Sequence, residues 1–168
     1  MNKTYVLGID PGATGALALF CPEDGLIKGV WDMPNTQMTL TTGKKTNRVN
    51  IKALIKLFLE IQDKVHYEKV SRFIVHIEKV QAFGKQSAPA AFNFGVAAAI
   101  PQTIAETFGL EIIMIPPQTW KRQFNLQASV KSDSRLLVQK MFPSLFDTFK
   151  LVKHTDRADA VLIACYQP

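Results

Sequence analysis

Cysteine is scarce in this sequence: Cys21 and Cys165 are the only two in 168 residues, and they stand near opposite ends. One bridge at most is available, which excludes a disulfide framework and makes a reduced compartment the simpler expectation. A membrane-length apolar run is lacking as well. The longest uncharged apolar stretch, Ala88 to Ile100, is interrupted by Pro89 and Asn93 and is shorter than the roughly 20 residues that a spanning helix needs. The N-terminus has neither a basic amphipathic leader nor an apolar run ending in a small-residue cleavage site. A soluble intracellular protein is expected, cytoplasmic, or organellar if a leader has been removed. His66, His76 and His154 are scattered and, with the two cysteines, lack the spacing of a zinc site. A phosphate-binding P-loop is excluded too. Gly43-Lys44-Lys45-Thr46 would need a further glycine where Met38 stands, and Lys45 intervenes before Thr46.

What is present suits one globular domain spanning 1–168, with enough apolar residues for a real core. Thr4 to Asp10 is a short apolar run broken by Pro11-Gly12, and Gly15 to Phe20 repeats the pattern before the turn signal Pro22 to Gly25. Leu26 to Met33 adds a third run, so the opening third is expected to be an antiparallel meander. Asn35 to Val49 is polar, Thr-rich and basic without apolar periodicity, and is expected to be a long exposed loop. Asn50 can then cap a helix in which Ile51, Leu54, Ile55, Phe58, Ile61 and Val65 share a face. Arg72 to Glu78 has the pattern of a buried strand. Gln86 to Phe108, Ala-rich and poor in charge, suits a helix packed on several sides, partly against another subunit, with Gly109 as its stop. A strand over Glu111 to Ile115, a helical turn over Gln118 to Phe124, and helices over Ser132 to Phe142 and Thr155 to Tyr166 complete the order. With no repeats and no linker, the natural packing is mixed α/β around one sheet.

The chain carries a formal charge of +6, and its basic residues cluster. Lys44, Lys45 and Arg48 form one group, Lys121 and Arg122 a second, Lys131 and Arg135 a third. Such clusters favour a polyanion, most simply nucleic acid, because each neutralised phosphate releases counterions.

The acids give this charge a chemistry. Asp10 ends the first strand and Glu78 the fourth, while Asp156 and Asp159 are three apart at the start of the last helix and share one of its faces. If the two strands lie side by side in parallel, their ends meet, and the last helix need only pack across that edge. Singly, each acid has an ordinary explanation as a turn former, a strand end or favourable charge at a helix N-terminus. Together they would repel one another and persist only with cations between them, for which magnesium, a hard ion preferring oxygen, is suited. Paired ions can activate water and stabilise the leaving oxygen of an in-line phosphoryl displacement.

The segments Leu7-Gly8-Ile9-Asp10-Pro11-Gly12-Ala13-Thr14-Gly15-Ala16, Val75-His76-Ile77-Glu78 and Asp156-Arg157-Ala158-Asp159-Ala160 resemble the RuvC family of Holliday junction resolvases in order, spacing and surroundings. The resemblance spans nearly the whole chain. It implies an RNase H-like fold, with a mixed five-stranded sheet flanked by helices, and a homodimer. It also implies two magnesium ions per active site, with manganese as a substitute, and paired symmetric nicks across a four-way DNA junction. By the same likeness Asp10, Glu78, Asp156 and Asp159 match the catalytic, metal-binding acids. The turn after Asp10 is two residues shorter than the usual bacterial one, and Lys79-Val80-Gln81-Ala82-Phe83 follows Glu78 where bacterial members place an aromatic three residues on. In both respects the chain looks closer to phage-type and chloroplast resolvases.

Lys121 and Lys131 resemble the two family lysines that approach the scissile region, where a lysine would stabilise growing negative charge. Plain phosphate anchoring is the alternative. Phe83 could wedge between bases at the crossover or simply be buried, and Lys85 beside it could hold a phosphate. Lys44, Lys45 and Arg48 look like an arm that orders on DNA. His154 is near enough to Asp156 to compete as a ligand, although off its helical face, and an ordinary surface histidine is the plainer expectation. Other functions predict other features. The Asp-x-Gly-x-x-Gly opening also occurs in sugar kinases and actin-like ATPases, which are far longer and carry a second phosphate loop. A binding module would have no need of four acids, and a ribonuclease acting on RNA/DNA hybrids would differ in substrate alone.

Overall fold

The computed structural model describes residues 3–43, 45–80, 87–127, 130 and 132–168. The chain opens with β1 (Thr4–Asp10), β2 (Ala16–Cys21) and β3 (Leu26–Asp32), then β4 (Asn35–Thr39), β5 (Lys45–Val49) and α1 (Ile51–Tyr67). β6 (Arg72–Glu78), α2 (Ala88–Thr107), β7 (Glu111–Ile115), α3 (Pro117–Gln123), α4 (Asp133–Met141) and α5 (Thr155–Cys165) follow. Five strands form one sheet in the order β3-β2-β1-β6-β7. β2 is antiparallel to β1 and to β3, whereas β6 is parallel to β1 and to β7. The opening meander is therefore as expected, and the sheet, with its second strand alone reversed, has the RNase H-like arrangement.

Alternation along the strands sorts the side chains into two cores. Tyr5, Leu7 and Ile9 of β1, with Val75 and Ile77 of β6, face α1 and α2. The even positions face the other way, where α5 lies over the sheet with α3, α4 and the 3-10 turns at Pro143–Phe149. Gly8 is on that face and allows α5 to come close: a β-carbon there would collide with the backbone of Ala160 and Ala164. By the two-residue period, Asp10 points to the same side as Gly8, and Glu78 to the same side as His76, whose Nδ1 lies 3.0 Å from the Ile163 carbonyl oxygen. One turn of α5 before Ala160 is Asp156. The packing that seats α5 over Gly8 thus carries its first turn to the C-terminal ends of β1 and β6.

The helices form where capping and periodicity predict. The Asn50 side chain accepts a hydrogen bond from the Ala53 N–H at 3.1 Å, and Leu54, Leu57, Phe58, Ile61 and Val65 bury one stripe of α1. Fully burying such side chains contributes about 1.5–3 kcal/mol each. Ile51 and Ile55, expected on that stripe, lie on its exposed margin instead, and Leu57 takes up the buried width. α2 is capped by Ser87 and stops before Gly109, whose φ of 65° suits glycine. It buries Ala97, Pro101, Ile104 and Ala105 and leaves Phe92 72% and Val96 48% exposed, so within this chain it packs on one side.

The segment expected as a loop is instead an antiparallel hairpin, β4 with β5, in register from Asn35↔Val49 to Thr39↔Lys45. Its strands lack apolar alternation because nearly all of their residues are exposed, so the period-two signal never arises. Asn50 N–H donates to the Pro34 carbonyl at 2.8 Å, tying the hairpin's base to α1. Among the described residues no helix is long and apolar enough to cross a membrane.

Candidate metal centre

β1 and β6 run in parallel with Ile9 opposite Ile77, so Asp10 and Glu78 emerge as neighbours at the same sheet edge. Asp156 and Asp159 come to that edge from the first two turns of α5. One carboxylate oxygen from each of Asp10, Asp156 and Asp159 lies within 4.8 Å of the others, and all three residues are half-buried. Glu78 is not within that trio. It stands beside it at the end of the adjacent strand, where its Oε2 accepts a hydrogen bond of 2.8 Å from the indole Nε1–H of Trp120.

At Glu78 and Asp159 burial outweighs the positive charge that the described residues offer. Burial, opposed by the Trp120 hydrogen bond and the Lys121 charge, raises the pKa of Glu78 above the ordinary carboxylate range. Asp159 is pushed up to about 6. Burial is the main cause, and the negative charges of Glu78 and Asp156 add to it against a hydrogen bond from Ser134 and the Lys121 charge. Desolvation and like charge together outweigh one lysine and one hydroxyl. Asp159 Oδ1 is in addition buried without a hydrogen-bond partner among the described residues. An all-oxygen donor set with an orphaned, buried carboxylate oxygen fits a hard divalent cation, which would supply both the missing charge and the missing contact.

The site is held from outside by groups far off in sequence. Arg157, between the two helical acids, makes a bidentate pair with Asp32 at the end of β3, Nε to Oδ1 at 2.5 Å and the terminal nitrogen to Oδ2 at 2.6 Å. This contact fastens the start of α5 to the sheet edge, and the guanidinium holds Asp32 below the usual carboxylate range. Beside the acids, an open hollow of about 330 Å³ is lined by Thr14, Asp32, Asn35, Lys153, Thr155 and Asp156. Lys121 is close enough for its charge to act on both Glu78 and Asp159.

Lys45 and Arg48 lie on β5, in the exposed hairpin rather than in a loose arm. Lys44, Phe83, Lys85 and Lys131 lie outside the described residues. His154 is buried, not at the surface: it precedes α5, its Nδ1 accepts the Leu151 N–H at 3.3 Å, and it is not in the acid trio. Burial, then the charges of Arg157 and Lys153, hold its imidazole below the usual histidine range. Trp120, Ser134, Arg157 and Asp32 went unassigned in the sequence. The one local signal was position, since Trp120 immediately precedes Lys121 and Arg157 sits between two acids.

No family model matches the chain, and no curated protein is significantly similar to it. Solved structures do resemble it. T. thermophilus RuvC in complex with a Holliday junction substrate is 19% identical, with a TM-score of 0.49, covering 95% of this chain and 90% of that one. A second Thermus thermophilus RuvC structure is 17% identical, with a TM-score of 0.46, covering 95% and 92%. The fold assignment for this chain rests on its own strand order, and the chemistry of the site on the acids at the sheet edge.

Proposed function

We propose that this chain is a divalent-metal-dependent DNA endonuclease of the RuvC type that resolves four-way junctions by paired symmetric nicks, its single RNase H-like domain spanning 1–168. The observation that carries this is the convergence of Asp10, Asp156 and Asp159 within 4.8 Å beside Glu78, on one edge of a sheet, in a protein of net charge +6. Asp10, Glu78, Asp156 and Asp159 would hold two magnesium ions, or manganese in their place. Bound there, the ions would supply a nucleophile from water at neutral pH and stabilise charge on the leaving oxygen.

The chain's own groups do the rest. The carboxylates orient the site and stay ionised when cations offset their mutual repulsion. Lys121 and Lys131 would stabilise negative charge that grows on the phosphoryl oxygens; the influence of Lys121 on Glu78 and Asp159 supports its share of that role. Lys45 and Arg48 on the hairpin, together with Lys44 and Lys85, hold backbone phosphates, and Phe83 stacks at the crossover. The exposed side of α2, with Phe92 and Val96, is the surface through which two copies would pair. Such a homodimer sets two equivalent sites on a substrate that is itself symmetric. The short turn after Asp10 supports a reading nearer the phage-type and chloroplast branch.

The experiment is nicking of an end-labelled synthetic four-way junction in magnesium, beside linear duplex, an RNA/DNA hybrid and the Asp10→Asn variant. Symmetric nicks in the junction alone, absent in the variant, are expected. Cutting of the hybrid in preference would move the assignment to a ribonuclease, and tight binding without cleavage in either metal would make the protein a junction-binding module.

A further inference from the structure

The part-buried contact between Trp120 and Glu78 has no part in the chemistry proposed so far. Trp120 is fully buried, set in the core made by Ile115, Leu126, Val138 and Phe149. Its helix is anchored at both ends: Pro116 and Pro117 begin it, and the Leu126 N–H donates to the Lys121 carbonyl at 2.8 Å just beyond it. The indole is therefore enclosed on all sides by packed side chains. A buried indole N–H needs an acceptor, and this one uses a carboxylate oxygen at 2.8 Å when a backbone carbonyl would have served. The choice orders a flexible side chain: glutamate has three torsions to fix, and its Oε2 is held by a donor packed into the core. The next residue, Lys121, has its Nζ 5.3 Å from the centre of the same ring, so the indole also steadies the cation that acts on Glu78 and Asp159.

Resting on the metal-site assignment above, we propose that Trp120 is a positioning residue: its N–H pins Glu78 Oε2 so that Oε1 is presented to a divalent cation shared with the aspartates. Groups that orient a ligand in this way commonly change metal affinity by about 10- to 100-fold when lost. A tryptophan that merely filled the core would affect melting temperature and leave metal affinity alone.

The test uses the full chain without DNA and titrates Mn²⁺ by calorimetry, with melting temperature measured in parallel. The wild type is compared with Asp10→Asn, Glu78→Gln, Trp120→Phe, and a protein carrying β-(3-benzothienyl)alanine at position 120, which keeps the shape of the indole and replaces its N–H by sulfur. Mn²⁺ affinity is expected to fall about tenfold in both position-120 proteins. In a Glu78→Gln background, Trp120→Phe should then make no further difference to Mn²⁺ binding. Junction cleavage by the benzothienyl protein should show a lower kcat and an unchanged KM. A folded benzothienyl protein that binds Mn²⁺ as the wild type does would overturn the pin. So would effects of Trp120→Phe and Glu78→Gln that simply multiply. If Asp10→Asn and the wild type take up Mn²⁺ alike, the metal site itself is wrong and the pin falls with it, an outcome the other arms do not mimic.

Discussion

The two ends of the central sheet are both crowded with charge, and they handle it in opposite ways. At the end where β1, β6 and β7 begin, Asp24, Glu111 and Glu68 have basic partners. Asp24 meets Lys28 at 2.6 Å and Lys3 at 3.0 Å, and Glu111 meets Arg72 at 2.6 Å. Glu68 takes the Tyr5 hydroxyl and lies 4.0 Å from Lys64. Hydrogen bonds from Lys28 and then Lys3 draw Asp24 down to about 2, and the Arg72 hydrogen bond lowers Glu111. At the end where the same strands finish, Asp32 takes the arginine that arrives with α5, while burial raises both Glu78 and Asp159. One end is a neutralised surface; at the other, burial of Glu78 and Asp159 outweighs the positive charge that the described residues offer them. That second end is where a cation from outside the chain would have a use.

The largest effect that would test this contrast is on catalysis. Asp10→Asn or Glu78→Gln should lower junction cleavage by at least about 10³-fold, equivalent to the several kcal/mol that a metal contributes at the transition state. Junction affinity, measured by gel shift in calcium, should be unchanged or higher, since charge repulsion with phosphate falls. Persistent cleavage by both variants would remove these acids from the mechanism.

Next in size is a gain in stability. A carboxyl raised to about 6 keeps its proton in the folded state where the unfolded chain has released it. Folding stability therefore falls as pH rises from about 4 to 6, and the cost is complete above 6. In the presence of a chelator at pH 7.5, Asp159→Asn should raise stability by about 1–3 kcal/mol, read as a melting temperature higher by several degrees. The difference should vanish near pH 4. Magnesium should stabilise the wild type and leave the variant unmoved. A variant that melts below the wild type in chelator would mean that Asp159 is satisfied by the protein alone.

Much of this was legible in the residues. The apolar runs of Thr4 to Asp10 and of Arg72 to Glu78, the Asn50 cap and the Gly109 stop each encode their own element, because strand-forming runs and caps act over a few residues. The acids too were visible, as two strand ends and one helical pair. What brings them together was not. Gly8 reads as one more small strand residue until α5 is laid on it, and Asp32 and Arg157 are 125 residues apart. The Trp120 N–H could have gone to any acceptor. The β4–β5 hairpin was missed because an exposed ribbon carries no apolar period, and the burial of His154 because its cover comes from turns whose packing is non-local.

A smaller effect is expected from that hairpin. Changing Lys45 and Arg48 together to Gln should weaken junction binding and reduce the slope of log affinity against log salt by up to about 1.8, at about 0.9 for each phosphate released. An unchanged slope would show that the ribbon does not touch the backbone, and would shift the contrast between the sheet ends onto the acids alone.

The smallest effects belong to the neutralised end, and their smallness is itself a prediction. The Arg72 and Glu111 side chains are 59% and 47% exposed, so water already solvates both charges and the pair gains little from proximity. Arg72→Ala should move the melting temperature by about 2 °C or less, with cleavage and magnesium response as in the wild type. If Arg72→Ala instead lowered cleavage tenfold with folding intact, the two ends of the sheet would be coupled, and the charge at the starting end would be part of how the acids are held apart at the other.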